Sequence, residues 1–280
     1  MIATQAASPV WRQVKASYAL VERNVNLSKR YWGWELAFLV YTIAQSMAIV
    51  YTADGAPAVT HSSIQTHRFV LFLAIGTLTW SYMANLFMAI AESVQWERWE
   101  GTIEYTMMAP ISRLTYILGS CLFGVLYGLV RTAVVMVALI FMFGLTANSD
   151  GFVPAALIVA VGSLSFVGIG IMAATLPLLF TEKGAQMTYV IEAVLLLISG
   201  VYFPVSVLPG WLQGVSHLSP ATYVLGGTRS VLLDHPTTSI MVSNIVPLVV
   251  IAVVTVPMGV YLWAAAEHFA KRTGRLKRTG

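Results

Sequence analysis

The stretch Phe69-Val-Leu-Phe-Leu-Ala-Ile-Gly-Thr-Leu-Thr-Trp-Ser-Tyr-Met-Ala-Asn-Leu-Phe-Met-Ala-Ile-Ala91 carries no charge. It runs straight into Glu92-Ser-Val-Gln-Trp-Glu-Arg-Trp-Glu100-Gly-Thr-Ile-Glu104 and then Tyr-Thr-Met-Met-Ala-Pro110-Ile-Ser-Arg113. That change decides the fold. Crossing about 30 Å of hydrocarbon at about 1.5 Å per residue takes roughly 20 apolar residues, which the first part supplies and the second cannot. Apolar runs of the same kind lie at Trp34–Thr52, Thr115–Phe143, Val153–Leu179 and Ile245–Ala264, with a shorter one at Thr188–Phe203 that stops before Pro204. Mean hydropathy is +0.76, and 58% of residues are hydrophobic against 10% charged. A soluble protein with buried helices would need polar faces of 3.6-residue period, and these segments have almost none. The expectation is an all-α membrane protein, one domain over residues 1–280, with six transmembrane helices.

Lys and Arg placement sets the orientation. Arg12, Lys15, Arg23, Lys29 and Arg30 precede the first span; Lys271, Arg272, Arg275, Lys277 and Arg278 follow the last. Six spans put both termini on one side, the cytoplasm, together with the loops Glu92–Arg113 and Thr181–Gln186. Only Arg68 and Arg229 fall outside. The basic excess is therefore topological, a lipid-headgroup anchor rather than a nucleic-acid surface. Met1–Tyr31 has no apolar core of a signal peptide, so the first span is expected to direct insertion. Residues 1–33 read as a cytoplasmic interfacial helix. Within Pro9–Arg30, Val10, Val14, Val21 and Val25, with Trp11 and Tyr18, alternate with Arg12, Lys15 and Arg23. Cys121 is the single cysteine and sits in an apolar run, which excludes a disulfide framework and a cysteine-based metal site.

Two connections, Ala53–Arg68 and Thr146–Phe152, read as short polar external loops. The segment Tyr202–Asp234 differs, because it is apolar yet broken by Pro204, Pro209 and Pro220 and by several glycines. Proline removes a helical hydrogen bond and restricts its predecessor, so no continuous span forms there. Two short helices dipping into the outer leaflet, spanning about 203–234, satisfy the backbone better.

The charged loop carries Glu92, Glu97, Glu100 and Glu104, and acidic residues contribute little to topology. Gly101 can break one helix and Thr102 can cap the next. Met107, Met108 and Pro110 offer a soft apolar knob. The loop is either simply solvated or a docking element, and the alternation of Trp96 and Trp99 with acids favours docking.

Glu97-Arg98-x-x-Gly101-Thr102-x-Glu104 followed by Ala109-Pro110-Ile-Ser resembles the cytoplasmic loop of type-2 ABC exporter permeases. Ser199-Gly-Val-Tyr-Phe-Pro204-Val-Ser-x-Leu208-Pro209-x-Trp211, and Ser219-Pro220-Ala-Thr-Tyr223 through Gly227-x-Arg229, resemble the segment after that family's fifth span. The resemblance runs over essentially the whole chain. It implies that Glu92, Glu97, Arg98, Trp99, Glu100, Gly101, Thr102, Glu104 and Pro110 form a coupling helix seated on an ABC ATPase subunit. It also implies that Pro204, Pro209, Trp211, Pro220 and Arg229 belong to an external re-entrant gate. No G-x-x-x-x-G-K-[ST] phosphate loop occurs in the sequence, so ATP and its magnesium would be held by a separate polypeptide.

Polar residues inside spans mark candidate pathways. Arg131 is either a structural pin to carbonyls or a neighbouring helix, or a cargo contact; Glu192 stands evenly between the two roles. Thr77, Ser81 and Asn85 recur at i+4 on one helical face. That stripe is a helix-packing surface or the wall of a wet cavity, and the resemblance favours the wall, with Trp80, Met88 and Ser199 beside it. The five histidines all fall in loops or at membrane edges, which disfavours an intramembrane Ser–His protease. The resulting expectation is the permease of an exporter in a prokaryotic inner membrane, working as a dimer with itself or a paralogue. Its cargo class is an amphiphilic drug, peptide or lipid; a permease for lipid-linked saccharide and an ion-coupled transporter are the alternatives.

Overall fold

A backbone in hydrocarbon has to satisfy its own hydrogen bonds, so apolar runs fold as helices. The computed structural model describes residues 10–60, 66–108, 113–144, 149–180, 183–234 and 236–273, and among them it contains helices and no strands. The order is α1 (Val10–Arg30), α2 (Trp32–Thr60), α3 (Thr66–Ala91), α4 (Ser93–Glu100), α5 (Ile103–Met108), α6 (Arg113–Phe143), α7 (Phe152–Leu179), α8 (Gly184–Ile198), α9 (Gly210–Ser216), α10 (Pro220–Leu233) and α11 (Thr238–Arg272).

Five of these, α2, α3, α6, α7 and α11, are long and apolar enough to cross a membrane. The expected count of six differs at Thr188–Phe203. Its apolar residues form α8, which has 15 residues and spans about 22 Å. Ser199 and Gly200 stop it early: Gly200 adopts φ 69°, a left-handed conformation that costs glycine nothing. Nevertheless α8 starts beside the end of α7, at Pro177, and finishes beside Phe72 near the start of α3.

Two other boundaries shift. The expected loop Ala53–Arg68 is helical through Thr60 and again from Thr66. Val50 and Ala53 are fully buried against Val70, Val135 and Leu139, and that packing holds the helix past Gly55. The last span extends beyond Ile245–Ala264 to both sides, remains helical at the internal Pro247 and Pro257, and ends with a Lys271–Glu267 pair at 2.6 Å. Residues 145–148, 181–182 and the tail beyond Thr273 lie outside the described residues.

Helix α7 packs most extensively on α11, and also on α3 and α10. Its seam with α11 includes small residues, with Gly168 against Thr255 and Gly259 against Gly168 O, which lets membrane helices approach closely. Helix α7 also carries buried polar ties, with Ser165 Oγ donating to Leu248 O of α11 at 2.7 Å and Ser163 Oγ sharing a 2.9 Å bond with Tyr82 Oη of α3. The amphipathic α1 lies against α6, where Leu20 is buried and Thr115 bonds Gln13. Thus α1, α4 and the C-terminal part of α11 gather at one end of the bundle, while α9 and α10 begin at the other.

Candidate functional site

The charged stretch after α3 folds into a helical hairpin. Gly101, at φ 70° and ψ 18°, ends α4 with its N–H on Arg98 O at 3.2 Å, and Thr102 N–H reaches Glu97 O at 2.9 Å. Thr102 also turns its hydroxyl back toward Glu97 O at 3.5 Å, and α5 follows.

The hairpin has two faces of opposite character. On the inner face Glu97 and Arg98 are 3% and 2% exposed, beside a buried Val94. Glu97 Oε1 accepts from Arg23 at 2.9 Å and from Thr106 at 3.2 Å; Arg98 donates to Leu178 O, at the end of α7, at 3.3 Å. Burial pushes the Glu97 carboxyl up, and Arg23 offsets only part of that. These two residues root the hairpin in α1 and α7. On the outer face Trp99, Tyr105 and Met108 are about three-quarters exposed, and Trp96 meets Trp99 edge to face at 5.5 Å. Glu100 is exposed there and accepts from Tyr31 at 3.4 Å. The Glu104 backbone lies in α5, its side chain and Pro110 lie outside the described residues.

Glu92 forms the turn between α3 and α4 and is half-buried beside the Tyr189 hydroxyl, with Glu192 within electrostatic reach; burial raises its pKa. The helical stripe of α3 splits. Thr77 and Trp80 are buried, Trp80 within the main core. Ser81 and Asn85 are half-buried, Asn85 donating to Ser81 O at 2.6 Å, and Met88 packs against the core edge. Ser199 is buried and shares a 2.7 Å bond with Ser219. Between the bundle helices lies a water-sized void of about 10 Å³, bordered by Ser93, Tyr116, Ser120 and Trp263; a larger depression of about 560 Å³ opens beside α8 at Lys183 and Met187. Among the described residues no group of side chains is arranged to hold a metal ion.

Arg131 donates to Phe38 O at 2.8 Å and to Thr42 Oγ1 at 2.6 Å, which ties α6 to α2. One turn away Tyr127 donates to Glu35. Sequence reasoning passed over Glu35, although it is the acidic residue in the first turn of a span. It also passed over the pairing of Arg23 with Glu97. At the opposite end Pro204 precedes a 3₁₀ turn, Pro209 and Pro220 start α9 and α10, and Trp211 is 72% exposed. Arg68 pairs with Asp234 at 2.8 Å, whereas Arg229 is buried.

Apolar helices, internal charges held by carbonyls and carboxylates, and a polar helical hairpin at one end define a polytopic helical membrane protein. Residues 15–233 match the family model described as ABC-2 type transporter, and the chain belongs to that family. It is similar to the inner membrane transport permease YadH of Escherichia coli K12, 27% identical over 163 residues, or 58% of this chain and 62% of that one. The putative transport permease ycf38 of Pyropia yezoensis is 28% identical over 141 residues, 49% of this chain and 47% of that one. The aligned stretch thus spans less than two thirds of the length of these relatives.

Proposed function

We propose that the chain is the membrane-spanning permease of an ATP-driven exporter, coupled through the α4–α5 hairpin to an ATPase carried on a separate polypeptide. The observation that carries this reading is the division of the hairpin. Glu97 and Arg98 fasten it to α1 and α7, while Trp99, Glu100, Tyr105 and Met108 face outward. An exposed aromatic and methionine surface with an acidic residue suits a protein partner better than water. Closure of the ATPase on bound Mg·ATP would push this face, and the Thr181–Gln186 connection would form a second contact. Two copies of the permease, or this chain and a paralogue, would share a central path.

In this reading α8 completes a sixth crossing, supported by its course from the end of α7 to the level of Phe72. Both termini lie in the cytoplasm of a prokaryotic inner membrane, and α9–α10 form the external re-entrant segment. The cargo is an amphiphilic drug, peptide or lipid. Glu92, beside the Tyr189 hydroxyl and within electrostatic reach of Glu192, also supports a second reading in which an ion gradient drives transport.

The test is co-purification of the tagged chain with the ABC ATPase encoded beside it. A stoichiometric ATPase whose binding falls in E100R establishes the coupling. Gradient-driven transport that needs no ATP and disappears in E192Q replaces it with the ion-coupled mechanism.

A further inference from the structure

A further buried charge lies far from the hairpin. Arg229, on α10, is 8% exposed, and each of its hydrogen bonds runs to a peptide carbonyl. Nε donates to Phe72 O at 3.2 Å, one terminal nitrogen donates to Gly200 O at 2.8 Å, and the other donates to Val201 O. The guanidinium lies over the Phe72 ring, with Cζ 3.6 Å from its centroid.

Two glycines make room for this arrangement. A Cβ at Gly76 would stand 2.1 Å from the guanidinium and 2.5 Å from Val201 O. Gly200 turns the chain at φ 69°, which aims two successive carbonyls at the same cation. A planar fork with five donors is the side chain that can engage three carbonyls and an aromatic face at once; an ammonium cannot.

We infer that Arg229 is a positioning residue for the transport cycle. It fastens the turn that follows α8 to the first part of α3, so the segment beginning at Val201 and the helix leading to the hairpin move as one body. Buried carbonyls of a non-helical turn in a membrane need a donor, and Arg229 supplies it for Gly200 and Val201, just beyond the end of α8. Its loss frees the turn without altering the hairpin.

The test uses a single cysteine at Val201, which is fully buried, in a C121A background, with an externally added, membrane-impermeant maleimide. R229A and R229K are each expected to raise the labelling rate at least about tenfold, equal to about 1.4 kcal/mol of lost closure. F72L, which keeps the three carbonyls and removes the ring, is expected to raise it about two- to threefold, less than R229A. Should R229A not fold, the F72L rate decides alone, an unchanged rate overturning the inference. Equal labelling of R229A and its parent also overturns it. The transport consequence rests on the exporter reading: R229A retains ATP hydrolysis and loses at least about tenfold in transport. Transport equal to the parent, or hydrolysis and transport lost in equal proportion, overturns the positioning role. If the parent shows no ATP-linked transport, the exporter reading fails while the labelling result stands by itself.

Discussion

Replacing Arg23 by alanine leaves the Glu97 carboxylate buried beside the hydroxyls of Thr106 and Tyr116, without the Arg23 cation. Removing one partner of a fully buried pair costs about 3–5 kcal/mol. Arg23, however, has a side chain 37% exposed, so water screens part of the interaction. A cost of about 2 kcal/mol is the expected balance for R23A. E97Q retains the acceptor for Thr106 and deletes the buried charge, so about 1 kcal/mol is expected. The double variant then resembles E97Q, since no carboxylate is left stranded, and the cycle yields a coupling of about 1–2 kcal/mol. The assay is thermal unfolding of the purified protein in detergent, where each kcal/mol corresponds to roughly 2–4 °C for a chain of this size class. R23A is thus expected to melt about 4–8 °C below the parent, with the double variant above R23A. Additivity of the two single effects to within about 0.5 kcal/mol would refute the claim that this pair roots the hairpin.

Burial raises the Glu92 carboxyl above its ordinary pKa. The folded state therefore binds this proton more tightly than the unfolded chain does; the stability is complete below the unfolded pKa and declines as pH rises through the folded one. E92Q, which cannot ionise, is expected to match the parent near pH 4 and to melt higher at about pH 7, and a gap independent of pH would contradict this. W99A loses an edge-to-face contact with Trp96 worth about 1 kcal/mol of stability. It is expected to lower ATPase recovery in co-purification by about tenfold or more, a loss well beyond that destabilisation. S165A deletes the bond to Leu248 O inside the α7–α11 seam and is expected to cost about 0.6–1 kcal/mol in the same melting assay.

The spans were legible because hydrocarbon imposes a length and a composition that local sequence states directly. Where a boundary moved, tertiary packing overrode a local signal. Gly55 and Pro57 read as a loop, but Val50 and Ala53 pack with Val135 and Leu139 and keep α2 helical. The short run at Thr188–Phe203 hid a break whose cause is the Gly200 turn. The i+4 stripe of α3 showed which residues share a face but not what covers that face, so Thr77 lies buried while Asn85 lies half-open. Pairings stayed illegible. Arg23 meets Glu97 across 74 residues, Tyr127 meets Glu35 across 92, and Arg229 reaches Phe72 across 157. No local periodicity encodes such distances; an unpaired charge in a span announces that it needs a partner without saying which.

The ties found by packing give the legible spans a mechanical sense. Helix α3, with 26 residues, is about 39 Å long. It continues through Glu92 into the hairpin, which Glu97 and Arg98 fix to α1 and α7. Close to its other end Phe72 and Gly76 form the cradle that Arg229 occupies. Between those points α3 packs on α2, α6, α7 and α10. A helix confined on several sides cannot absorb a push by bending, because close-packed interiors compress little and rearrange by shifting whole elements. If an ATPase moves the hairpin, the displacement therefore reaches the Gly200 turn through α3. Under that reading the carbonyl-held guanidinium would convert it into movement of the segment beyond α8. Contacts from the middle of α3 set the register of that motion, whereas the two ends decide whether it is transmitted.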